Sequence, residues 1–96
     1  MNPVLPVVWL PRAQADRLAH LEFTAQEKPH VAETPDARID RTLSRLAGFP
    51  ALGRAGRKQG TRELVIPHTP FIMVYREQHG RLEILRVLHG AQQWPV

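Results

Sequence analysis

Three apolar runs crowd the last third of the chain: "RELVI" (62–66), "FIMVYR" (71–76) and "LEILRVLH" (82–89), separated by "PHTP" and "EQHGR". Each is short and rich in β-branched or aromatic residues, so each is predicted to be a strand. Pro67 and Pro70 bracket one tight turn, and Gly80 offers the positive φ that a hairpin needs at the other. In the middle strand, Phe71, Met73 and Tyr75 share one face, with Ile72 and Val74 on the other. The last run is apolar on both faces, the pattern of a central strand. A chain that ends this way must stack its other elements on an antiparallel meander.

The first half supplies those elements. "VVWL", closed by Pro11, reads as a strand of residues 4–10. From Arg12 the composition turns helical, with Ala15, Leu18, Ala19, Leu21, Glu22 and Ala25, and with Asp16, Arg17 and Glu22 expected to face outward. "EKPH" interrupts it at Pro29. In a second helix, Ile39, Leu43, Leu46 and Ala47 fall on one apolar stripe and Arg38, Arg41 and Arg45 on a basic one. Thr34 followed by Pro35 reads as an N-cap and first helical position. If the helix begins near Pro29 instead, Pro35 must kink it. Gly48 and Pro50 stop it. "ALGRAGRKQGT" has no hydrophobic periodicity and reads as a loop. The element order is β-α-α-β-β-β, an α+β fold in a single domain spanning residues 1–96, with a helical hairpin on one face of the sheet.

Ninety-six residues at 43% hydrophobic composition provide one modest core. The chain has no cysteine, which excludes a disulfide framework and fits a reducing compartment. No apolar run approaches the roughly 20 residues of a membrane span. The start, "MNPVLPVVWLPR", has no basic leader region and three prolines in its apolar stretch, so a cytoplasmic protein is expected. Residues 1–33 carry three Lys/Arg against four Asp/Glu, and residues 34–96 carry ten against five. The basic excess sits in the second part, where it would attract nucleic acid or an acidic protein.

Common enzyme motifs are missing. Ser44 sits on a helix, which excludes a nucleophile elbow. The histidines, His20, His30, His68, His79 and His89, show no ligand spacing, so no metal is expected. No glycine-rich loop links a strand to a helix, so no nucleotide cofactor is expected. What remains is basic: Arg54, Arg57, Lys58 and Arg62 in and after the loop, with Arg86 and His89 on the last strand. If the last strand pairs beside the first of the three, Arg62 and Arg86 share a face. Metal-free RNA cleavage needs a base, an acid and cations at the phosphate, and these residues could supply part of that set. The plainer reading makes them solvated arginines and a surface histidine.

Five stretches in order, "VVWLPRAQADRL", "LAGFPALGRAGR", "GTREL", "PFIMVYR" and "EILRVLHGAQQWP", resemble the RelE/ParE superfamily of bacterial toxins from type II toxin–antitoxin modules, over nearly the whole chain. The resemblance implies a helical hairpin against a twisted antiparallel sheet. It also implies a cognate antitoxin, whose partly disordered acidic segment folds over the basic face in a toxin–antitoxin hetero-oligomer. Two activities share this scaffold. The RelE-like branch cleaves mRNA in the ribosome with basic and tyrosine or histidine side chains on the concave face; the ParE-like branch poisons DNA gyrase and lacks that set. Arg62 matches a catalytic basic position of the RelE-like branch, but Leu64 stands where a second often lies. Ile72 replaces its phosphate-binding arginine, and a later arginine falls near Gly90. His89 is left as the acid or base, with Arg54, Arg57, Arg62 and Arg86 as cations. The likeness is nearer the ParE branch. On that reading Arg54, Arg57, Lys58, Arg62, Arg86 and Trp94 bind target or antitoxin, Trp94 packing the tail back or touching the partner.

Overall fold

The computed structural model describes residues 4–27, 34–90 and 94. In chain order they form β1 (Val7–Trp9), α1 (Pro11–Glu27), α2 (Pro35–Gly48), a 3-10 turn (Pro50–Leu52), β2 (Arg54–Ala55), β3 (Arg62–Val65), β4 (Phe71–Gln78) and β5 (Arg81–His89). One sheet holds all five strands in the order β1-β5-β4-β3-β2. The β3-β4-β5 meander is antiparallel as expected, and β1 pairs parallel to β5. The sheet is therefore mixed, and β5 is interior.

Local chemistry accounts for the boundaries. Thr34 accepts a hydrogen bond from the Ala37 N–H and Pro35 occupies the first turn, so Pro35 starts α2 and does not kink it. Pro29, expected to part the helices, lies outside the described residues. At Phe49 the chain turns, its N–H bonding back to the carbonyls of Arg45 and Leu46. The β4–β5 hairpin pairs Gln78 with Arg81, so only His79 and Gly80 form the loop. Their φ values are 56° and 72°, positive at both central positions as a type I′ turn requires. The "PHTP" turn places His68 at φ 62°. It closes with Thr69 N–H to the Ile66 carbonyl at 3.2 Å, and Pro67 precedes His68 as in a type II turn.

The α2 stripe of Ile39, Leu43, Leu46 and Ala47 is buried. The first three join Ala13, Phe71, Met73, Tyr75, Leu82, Ile84 and Val87 in one core cluster. Register puts Ile72, Val74 and Leu88 on the opposite face of the sheet, where they too are buried. Two expectations about the first half change. The N-terminal strand is three residues long, although the Pro6 carbonyl and Leu10 N–H extend its hydrogen bonding to Leu82 and Ile84. Asp16 and Arg17, expected to face solvent, face inward. The Arg17 guanidinium bridges Asp36 and Asp40 of α2, tying the two helices together. Asp16 turns to β5, while Leu18 is the residue left 64% exposed. The side chain of Glu22 lies outside the described residues.

Because β1 ends opposite Ile84, the outer edge of β5 beyond that point needs another cover. Side chains one turn apart on α1 provide it. Asp16 accepts the Val87 N–H at 3.0 Å, and His20 Nε2 donates to the Val87 carbonyl at 2.8 Å. A carboxylate and an imidazole thus complete the ladder where the partner strand stops.

Candidate partner-binding face

Most of the predicted cations are already held by the fold. Glu63 on β3 has a buried side chain that accepts the Arg57 N–H at 2.8 Å and lies 3.4 Å from both the Arg54 and Arg57 guanidinium groups. The loop after β2 is thereby folded around a carboxylate. Within the stretch expected to be pure loop, this pairing and the Gly56 N–H bond to the Thr61 carbonyl create the short β2–β3 ladder. Arg62 donates to the Gly53 carbonyl at 2.8 Å and reaches that of Ala51 at 3.5 Å. Beside it Tyr75, fully buried, donates its hydroxyl to the Pro50 carbonyl at 2.8 Å and accepts the Gly53 N–H at 2.7 Å. Burial pushes the phenol above its ordinary value of 10.0, against the opposing pull of the Gly53 N–H and the Arg62 charge. Arg62 and Tyr75 together pin the 3-10 turn to the sheet.

Arg86 is held more tightly. Its Nε and Nη2 meet Asp16 at 2.6 and 3.1 Å, the side chains are only 9% and 15% exposed, and its guanidinium lies 5.6 Å from the Trp94 ring centre. Of the tail, Trp94 is described, and its ring and the Arg86 guanidinium make a cation–π contact. Its indole Nε1 is buried with no hydrogen-bond partner among the described residues.

The expected sharing of a face by Arg62 and Arg86 does not hold. β4 lies between β3 and β5, and the register shifts at Val74/Tyr75, so Tyr75 faces Ile84 while Val74 faces Arg86. Leu85 is the extra residue of a β-bulge. It turns Arg86 to the face away from α2, whereas Arg62, opposite Tyr75, stays on the helix-covered face. His89, opposite Phe71, lies exposed at the other end of the sheet, its ring edge-on to Phe71 at 6.3 Å. From the pairing, His89 and Arg62 are four β4 residues apart, roughly 13 Å, and two strand spacings of about 4.8 Å apart across the sheet. One phosphodiester cannot reach Arg62, Arg86 and His89 together. Nor is Tyr75 available as an acid or base, since its hydroxyl is buried and bonded on both sides.

The open face instead carries a cleft of about 700 Å³ walled by Arg12, Lys58, Arg76, Arg86, Leu85 and Trp94. Arg76 is tethered to Glu83 at 2.7 Å, as is Arg81 at 2.9 Å. The Arg76 hydrogen bond, with help from Arg81, holds the Glu83 carboxyl below the ordinary glutamate value. Arg12 and Lys58 are exposed at the rim. Of the predicted residues, Lys58, Arg86 and Trp94 meet at this cleft. Arg76 was legible, since alternation along β4 places it on the face of Ile72 and Val74. Arg12 carries no local signal, because it reaches the cleft only through the direction in which β1 leads into α1. Among the described residues no group of three His, Asp or Glu side chains could hold a metal, and no helix is long and apolar enough to cross a membrane.

A family model described as the ParE toxin of type II toxin–antitoxin systems, parDE, matches residues 7–94. The candidate toxin Y4kP of Sinorhizobium fredii is 42% identical over 73 residues, covering 76% of this chain and 75% of the relative. Among solved structures, a chain from the chromosomal ParDE system of P. aeruginosa superposes with a TM-score of 0.72. It covers 90% of this chain and 96% of that one at 20% identity, a likeness of fold.

Proposed function

The chain belongs to the ParE toxin family of type II toxin–antitoxin systems, and from that premise we propose that it poisons DNA gyrase and is held inactive by a cognate antitoxin. The observation that carries the reading is the dispersal of the cations. A ribonuclease would need Arg62, Arg86 and His89 around one phosphate, and the bulge in β5 turns Arg86 away from the other two. Arg86 is spent on Asp16, while Arg54 and Arg57 share the single carboxylate of Glu63. Such a protein acts by binding, and its chemistry belongs to its target.

The open-face cleft is the antitoxin's seat in this reading. An acidic, partly disordered segment would lay carboxylates against Arg12 and Lys58 and an apolar side chain against Leu85 and Trp94, folding as it binds. The test incubates the purified protein with gyrase and supercoiled plasmid, and in parallel with programmed ribosomes. Gyrase-linked linear DNA with intact mRNA is the expected result. Cleaved mRNA with normal supercoiling overturns the proposal.

A further inference from the structure

The 22 residues from Arg41 to Arg62 contain six Arg/Lys and not one Asp or Glu, and in their midst the fold displays an aromatic ring. Phe49 is 72% exposed and Leu52, three residues on, 41%. Single exposed apolar residues are common and mean little. This pair differs in how its backbone is held. Phe49 N–H bonds to the Arg45 carbonyl at 2.9 Å, Leu52 N–H to the Phe49 carbonyl at 3.0 Å, and the turn between them is fixed to the sheet by Tyr75 and Arg62. Gly53 is part of the device: a Cβ there would lie 2.5 Å from the Tyr75 hydroxyl, so the backbone comes as close to the buried phenol as glycine permits. A large side chain on rigid backbone loses little entropy when it enters a pocket, which is what makes an aromatic anchor effective.

We infer that Phe49 and Leu52 form a preorganised docking knob for the toxin's protein target, which offers an apolar pocket with an acidic rim. Arg45 precedes Phe49 by one helical turn and Arg62 lies across the 3-10 turn, so two cations flank the knob, while Arg54 turns to Glu63 on the other face of the sheet. Part of the Arg54 charge is answered by Glu63, but the whole segment contributes six positive charges to a chain whose net is +4. Charge alone would suit a nucleic acid as well, whose bases stack on an exposed ring; the aliphatic Leu52 beside Phe49 makes the patch a knob for an apolar pocket, and with the flanking cations that favours an acidic protein surface. The knob also stands apart from the open-face cleft. It is fixed beneath Arg62 and Tyr75 on the helix-covered side, whereas the cleft lies on the other face.

The inference rests on the gyrase reading and is tested with purified gyrase as the probe. Binding of the wild-type chain, Phe49→Ala, Leu52→Ala and Arg45→Glu to immobilised gyrase would be measured, with circular dichroism as a fold check and antitoxin binding as a second readout. Each apolar truncation is expected to weaken gyrase binding about tenfold or more, with Arg45→Glu weakening it mainly at low salt and antitoxin affinity unchanged. If the wild type binds and both truncations bind equally well, the knob is wrong and the gyrase reading stands. Should the wild type show no binding, both fall together. A truncation that converts a wild-type dimer to monomer without touching gyrase binding would give the knob to self-association and overturn the inference.

Discussion

Asp16 does two things with one carboxylate. It pairs with Arg86 and accepts the Val87 N–H, both at a site nearly closed to water. Removing it leaves a buried guanidinium uncompensated and a strand edge uncapped, and deletion of one partner of a buried pair typically costs 3–5 kcal/mol. Asp16→Ala should therefore lower stability by about that amount in urea denaturation, and Asp16→Asn, which keeps an acceptor, by less. Equal stability of all three proteins would show that solvent reaches the site. A second residue offers a spectroscopic handle, because Tyr75 is the sole tyrosine. Its native phenol titrates above 10.0 and its unfolded one at the ordinary value, so the folded chain holds this proton more tightly. The stability this group contributes is complete below pH 10 and is lost as pH rises through the raised value. Phenolate absorbance should thus appear above pH 10.0 and rise together with loss of the circular dichroism signal. A midpoint at or below the ordinary value would mean that the hydrogen bonds to Pro50 and Gly53 are not held in solution.

Elements were legible in proportion to how local their causes are. The helices declared themselves through the stripe Ile39, Leu43, Leu46 and through Thr34–Pro35, and the hairpins through Pro67, Pro70 and Gly80. The parallel pairing of β1 to β5 depends on residues more than seventy positions apart, and three residues of strand announce no direction. Nor does alternation reveal a bulge. Read by period two, Leu82, Ile84 and Arg86 share a face, and Leu85 breaks that rule with nothing in the sequence to mark it. The candidate site suffered for this reason, since the side to which Arg86 turns decides which reading is tenable. One element still carries strain that can be relieved. His68 holds φ 62° in an exposed turn, a conformation that costs most residues about 1–2 kcal/mol and glycine almost nothing. Glycine's greater unfolded entropy takes back part of that gain. His68→Gly should leave a net stabilisation of roughly 0.5–1 kcal/mol, or about 2–6 °C in melting temperature for a chain of this size. A fall in melting temperature would mean that the imidazole makes a contact in the cleft it lines with Arg38, Arg41 and Arg45 that outweighs the strain.

At the scale of the molecule, charge and burial divide the labour. The largely buried cations, Arg17 and Arg86, lock elements to one another, and what they give to folding they withhold from recognition. Exposed cations at the cleft rim, Arg12 and Lys58, remain for a partner, and they come from opposite ends of the chain's charge asymmetry: Arg12 from the slightly acidic first part, Lys58 from the basic second. Only the fold brings them together. Reversing both should leave stability within about 0.5 kcal/mol, because neither side chain is buried. Its effect belongs to association. If an acidic antitoxin segment settles in the cleft, Arg12→Glu with Lys58→Glu turns two attractions into two repulsions, and affinity should drop roughly 10- to 100-fold at low salt, chiefly through a slower on-rate. That penalty should shrink toward 0.5 M salt, where the screening length falls to a few ångströms, about 4 Å. Titrating the complex at two ionic strengths checks both parts. A loss that ignores salt would point to shape in the cleft and away from charge, and no loss at either salt would put the antitoxin on another face of the protein.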